Sequence, residues 1–118
     1  MHINHFLPFV HAKDFNQSKE FYSDLGSEIV WEDEDLVRFR SGYFEFFLQK
    51  DYVKEFAENL MIHLNVNNFS ETFKLAEKIV KKTTNCKITQ PKLEDYGLAF
   101  KLVGPSGECW DIVEGTHH

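Results

Sequence analysis

One pattern is written twice along this chain, and it restricts the fold more than any other feature. His5 to Ala12 is β-prone and alternating, Asp14 stands three residues before Gln17 as in a helix capping box, and Phe15, Phe21, Tyr22 and Leu25 share one helical face that ends at Gly26. Three β-rich runs follow, Glu28 to Trp31, Leu36 to Arg40 and Tyr43 to Gln49, separated by the turn sequences Asp33-Glu34-Asp35 and Ser41-Gly42. Met61 to Val66, Asn68 with Glu71, and a helical run from Phe69 to about Lys82 then begin the pattern again. Cys86 to Gln90, Leu98 to Val103 and Glu108 to Val113 complete it, with turns at Glu94-Asp95-Tyr96-Gly97 and Gly104-Pro105-Ser106-Gly107. Laying Asp14-Phe15 on Asn68-Phe69 sets Leu7 against Met61 and Ala12 against Val66, a repeat of pattern rather than of identity. The sequence therefore predicts an α+β fold of two tandem βαβββ modules, about 1–50 and about 60–115. Between them Lys50 to Leu60 is charged but holds Tyr52, Val53 and Phe56, which predicts a short helical linker.

The length of 118 residues allows one hydrophobic core but not two independent ones, so the modules are expected to share it within a single domain, 1–118. The twelve Phe residues cluster in strand-like runs such as Tyr43-Phe44-Glu45-Phe46-Phe47, which predicts sheet faces lined with aromatic rings. A net charge of −6 argues against nucleic acid, whose phosphates need a basic stripe, and favours a small neutral or cationic molecule as partner. Lys74, Lys78, Lys81 and Lys82 have the spacing of a solvated helix face. No apolar run is long enough to span a bilayer, and Met1-His2-Ile3-Asn4 lacks the features of a signal peptide, so a soluble, cytoplasmic protein with no membrane partner is expected. Cys86 and Cys109 read as reduced packing residues.

The segment Asp14-Phe15-Asn16-Gln17-Ser18-Lys19-Glu20-Phe21-Tyr22 followed by Leu25-Gly26 resembles the opening signature of the vicinal oxygen chelate superfamily, which contains glyoxalase I, bleomycin-resistance proteins and extradiol dioxygenases. Gly104-Pro105-Ser106-Gly107-Glu108-Cys109-Trp110-Asp111 resembles its closing signature, and the two in this order cover nearly the whole chain. The resemblance implies that each module curls a mixed sheet around a cavity, and that two copies pair as a C2 homodimer to close the cavities. In the superfamily's metal-dependent members four ligands project from the first and last strands of each module. Here Leu7 and Met61 stand at the first-strand positions, and neither offers a donor; Glu45 and Asp111 stand at the last-strand positions. No bound metal and no cofactor are expected. A displaced site is the alternative, with His63, one strand step beyond Met61, meeting Glu45 or Asp111.

Period-two alternation directs Leu7, Phe9 and His11, then Tyr43, Glu45 and Phe47, then Met61, His63 and Asn65, then Cys109, Asp111 and Val113 toward the cavities. Of these, Phe9, His11, Tyr43, Glu45, Phe47, His63, Asn65 and Asp111 are the candidate ligand-binding residues; no catalytic residue is assigned. Phe9, Phe47 and Met61 could instead simply fill the interior, and His63 could be a hydrogen-bonded strand histidine. Trp31 and Trp110 read as packing residues, Trp110 facing away from the cavity; His2, His5, His117 and His118 receive no role. The favoured function is a metal-independent small-molecule-binding protein that resembles the drug-sequestering bleomycin-resistance proteins, with antibiotic resistance as the implied role. The competing readings are a metal-dependent glyoxalase-like lyase or isomerase, or a dioxygenase-related enzyme, with Glu45 or Asp111 as general base, and an interaction domain built for dimerisation.

Overall fold

In the computed structural model, which describes residues 1–115, the first module runs as β1 (Phe9–His11), α1 (Phe15–Asp24), β2 (Glu28–Glu32), β3 (Leu36–Ser41) and β4 (Phe44–Gln49). A linker helix α2 (Lys54–Glu58) leads to β5 (Met61–Val66), α3 (Phe69–Lys82), β6 (Lys87–Ile88), β7 (Lys92–Glu94), β8 (Gly97–Val103) and β9 (Cys109–Glu114). His117 and His118 lie outside the described residues. The first sheet has the order β1-β4-β3-β2 and the second β5-β9-β8-β6, with β7 also paired to β8. In each, the first strand lies parallel to the last and the other pairs are antiparallel, so both sheets are mixed, curled and not closed.

Local chemistry explains where the elements begin and end. Asp14 caps α1 by accepting the Gln17 backbone N–H at 3.1 Å, while the Gln17 side chain turns away to Thr84, so only half of the expected box forms. At the other end Gly26 takes φ +98°, and the N–H groups of Gly26 and Ser27 donate to the carbonyls of Ser23 and Tyr22, a complete Schellman ending. The second box does not form: Asn68 accepts the Thr72 hydroxyl at 3.2 Å instead of a backbone N–H, and Glu71 with Lys81 and Lys82 complements the helix dipole of α3.

Three strand expectations need correction. β1 is three residues long rather than eight, and its pairing begins at Pro8, which lacks an N–H but whose carbonyl accepts from Phe47. Tyr43 is not in a strand: Ser41 pairs with Phe44, so Gly42, at φ +62°, and Tyr43 form a two-residue hairpin loop and Tyr43 is fully exposed. The expected strand Cys86 to Gln90 shortens to β6, and beyond Pro91 an unexpected strand, β7, pairs with β8, giving the second sheet one more strand than the first.

The modules share one core on the helix-facing sides of the sheets. Val10, Phe21, Tyr22, Phe39, Phe46 and Leu48 of the first join Phe69, Ile79, Phe100, Leu102, Trp110 and Ile112 of the second in a single cluster. Each large side chain so buried contributes about 1.5–3 kcal/mol. A buried polar clasp crosses the same seam. Tyr22 Oη donates to Glu108 Oε2 at 2.6 Å, Ser106 N–H donates to Glu108 Oε1 at 2.9 Å, and Trp110 Nε1 donates to Tyr22 Oη at 2.9 Å. Burial raises the Glu108 carboxyl above its usual range, and burial followed by the neighbouring Glu108 charge raises the Tyr22 phenol. Gly104 is required beside this carboxylate, because a Cβ there would stand 2.6 Å from Glu108 Oε1. Among the described residues, no helix is long and apolar enough to cross a membrane.

Candidate ligand-binding faces

Strand alternation sends one set of side chains to the core and the other to the open face of each sheet. On the first sheet, the parallel register sets Phe9 opposite Phe47, and their rings stack with centroids 4.9 Å apart; Phe9 remains 47% exposed. β3 then sets Arg38 opposite Phe47 and Arg40 opposite Glu45. Arg38 grips Glu45 through Nε at 3.0 Å and a second nitrogen at 3.2 Å, and its guanidinium lies 5.9 Å from the Phe47 ring centroid. Its hydrogen bonds hold the Glu45 carboxyl below the usual range, keeping it ionised and occupied. His11 Nδ1 lies 2.7 Å from the Asp51 carbonyl, which can only accept, so Nδ1 carries the proton, and its ring packs against Phe56.

Beside Phe9 the face opens into a cleft of about 560 Å3 lined also by Asp33, Asp35, Leu36, Lys50 and Asp51. Lys50 approaches Asp35 at 4.0 Å, so the cleft keeps an excess of negative charge. A larger cleft of about 750 Å3 between α1 and the turn after β2, lined by residues such as Lys13, Lys19, Glu32 and Lys50, touches none of the candidate residues. Its mixed charges and exposed walls make it the poorer site for an organic ligand.

On the second sheet the register sets Met61 opposite Cys109, His63 opposite Asp111 and Asn65 opposite Val113, with Lys101 on the other side of Asp111. Asp111 is buried, and its oxygens meet His63 Nδ1 at 3.1 Å and Lys101 Nζ at 3.4 Å. Loss of solvation and then the hydrogen bond to Asp111 raise the Tyr96 phenol, whose ring stands edge-on to His63. Desolvation works against the Lys101 ammonium, but the charges of Asp111 and Tyr96 outweigh it and hold its pKa up. Burial also raises the Cys109 thiol, which keeps it protonated. Asn65 points elsewhere, its Oδ1 lying 2.8 Å from where a Cβ on Gly115 would stand.

The eight candidate residues therefore fall into two groups on separate sheets: Phe9, His11, Glu45 and Phe47 on the first, His63, Asn65 and Asp111 on the second, with Tyr43 in a loop. Glu45 and Asp111 are not counterparts. The helix starts at Phe15 and Phe69 align Phe9 with His63, and their ladder partners are Phe47 and Asp111, so Phe47 occupies the position equivalent to Asp111. His63 does meet Asp111, but Glu45 is on the other sheet. A divalent metal of the superfamily's kind does not fit these residues. Among the described residues no three His, Cys, Asp or Glu side chains are placed to hold a metal, and the Lys101 cation already lies against Asp111. Arg38 and Lys101, the partners of Glu45 and Asp111, are absent from the residues expected on these faces, although alternation within Leu36-Val37-Arg38-Phe39-Arg40 and Leu98-Ala99-Phe100-Lys101 places both there.

No family profile matches the sequence, and no curated protein matches it. Solved structures do match in three dimensions. A bleomycin-binding protein complexed with bleomycin superposes with a TM-score of 0.79 at 19% identity, over 97% of this chain and 100% of that one. An antibiotic-binding protein from a Streptomyces species gives 0.78 at 14% identity, over 98% and 99%. The lactoylglutathione lyase of Agrobacterium tumefaciens gives 0.67 at 15% identity, over 96% and 95%. At such identities the likeness speaks to fold and not to activity. Two mixed sheets built from βαβββ modules, superposing on these binding proteins and this lyase over nearly their whole length, give the chain the fold of the vicinal oxygen chelate superfamily.

Proposed function

We propose that this chain is a metal-independent binding protein for a small planar aromatic molecule that is neutral or carries a positive group, of the drug-sequestering kind. The observation that carries the reading is the exposed Phe9 ring, backed by its stack on Phe47 and lining a cleft with three aspartates and one lysine. A flat ring extends that stack, and a cationic substituent on it reaches Asp35 and Asp51. Glu45 and Asp111 are poor anchors for such a cation, because Arg38 and Lys101 already neutralise them. The superposition on bleomycin-binding and antibiotic-binding proteins supports the same reading. Exposed Phe9, Trp31 and Met61 on the open faces favour a C2 pairing of two copies over them, which the mass in solution tests.

The function is tested by titrating the protein with bleomycin and with simple aromatic cations, in the presence and absence of chelator. Binding that is indifferent to chelator is expected. Phe47→Ala should weaken it by about tenfold, the worth of a lost stacking contact and its buried area. Asp35→Asn combined with Asp51→Asn should abolish the preference for cationic over anionic rings. Binding that required a stoichiometric metal, or that ignored Phe47, would overturn the proposal.

A further inference from the structure

The seam between the modules holds a third, smaller cavity that the sheet-face reading leaves unused. It measures about 130 Å3 and lies on the helix-facing side of both sheets, opposite to the open faces. α1 contributes Tyr22 and, just beyond its end, Leu25; β4 contributes Phe46, β5 contributes Leu64 and Val66, and β9 contributes Trp110. The polar atoms of this lining are already satisfied, since Trp110 Nε1 donates to Tyr22 Oη and Tyr22 Oη donates to Glu108. Ring faces and methyl groups are what the interior presents, and a water there would lack the two or more polar partners it needs.

The mouth is different. Ser27, Ser41 and Thr72 line it; the hydroxyls of Ser27 and Ser41 lie 2.8 Å apart, and Thr72 Oγ1 donates to Asn68 at 3.2 Å. A serine pair uses one hydrogen between its two hydroxyls, which leaves a second hydrogen and free lone pairs for an incoming hydroxyl. Inside, Tyr22, Phe46 and Trp110 are mutually tilted, with centroids 5.1 to 5.6 Å apart, so ring edges and faces are both on offer. An apolar cavity of about 150 Å3 is known to hold benzene, so this one has the scale of a single six-membered ring.

From the apolar interior, its size and the hydroxylated mouth, we infer that the module seam is a binding site for a single aromatic ring bearing one hydroxyl, a ligand of the phenol class. The ring lies over the floor formed by Tyr22, Phe46 and Trp110, covers the half-exposed Leu25, Leu64 and Val66, and leaves its hydroxyl at Ser27 and Ser41.

Phenol itself is the probe, with toluene as the ring without a hydroxyl, titrated into the full chain carrying Trp31→Phe so that Trp110 is its one tryptophan. A saturable change in Trp110 emission is expected. Ser27→Ala combined with Ser41→Ala, both near the surface and compatible with folding, should weaken phenol by roughly tenfold and leave toluene unchanged. Val66→Phe should fill the cavity and remove both responses; if that variant does not fold, Leu25→Phe serves the same purpose. No saturable change with phenol, a change that survives cavity filling in a folded variant, or equal losses for phenol and toluene in the serine variant would each overturn the inference. Phe47→Ala should leave the Trp110 response intact, which separates this site from the sheet face.

Discussion

Single residues show how closely a carboxylate's neighbours decide its use. Glu45, Glu108 and Asp111 all sit in or beside the last strands, yet each has a different partner set. Glu45 is gripped by an arginine, Asp111 lies between a histidine and a lysine, and Glu108 is sealed beneath a tyrosine and a backbone N–H. Burial raises the Glu108 carboxyl above its ordinary value, and this gives it a distinctive pH signature. A carboxyl raised on folding stabilises the protein below its unfolded value of about 4.5, and that contribution is lost as pH rises through the folded value. Glu108→Gln keeps the shape without the charge, so its stability relative to the parent chain should climb from pH 4.5 upward and then level off. Paired urea unfolding across that pH range checks it, and a difference flat in pH would refute the assignment.

At the scale of elements, the helices were more legible than the strands. The start and the glycine ending of α1 follow from residues within one turn, because caps are local chemistry. Asp14→Ala should therefore cost about 1 kcal/mol, read as a lowered urea midpoint, whereas Asn68→Ala should cost less, since Asn68 caps no backbone N–H. Strand ends depend on partners far along the chain. The hairpin at Gly42 and Tyr43 is set by the pairing of Ser41 with Phe44, and a shift of one residue there removed Tyr43 from the candidate face. The interruption at Pro91 follows from the missing N–H, a local signal, but the extra strand beyond it is placed only by β8.

On the scale of the whole molecule, the duplicated modules are not independent units. One core cluster and the clasp of Tyr22, Glu108 and Trp110 tie them together, so unfolding should be a single transition. Far-ultraviolet circular dichroism and tryptophan emission should give the same midpoint, and Tyr22→Phe should lower both together by stranding the Glu108 carboxylate. Two separated transitions would show that the modules fold apart. By itself the sequence determined the α+β class, the repeat of βαβββ, the helix positions and the aromatic character of the faces, because periodicity and caps are written in neighbouring residues. The tertiary structure alone decided that Phe47 rather than Glu45 matches Asp111, that Arg38 and Lys101 neutralise the carboxylates, and that a cavity opens at the seam. Each depends on register and packing between segments tens of residues apart, where a shift of two positions exchanges one side chain for another without changing the local pattern.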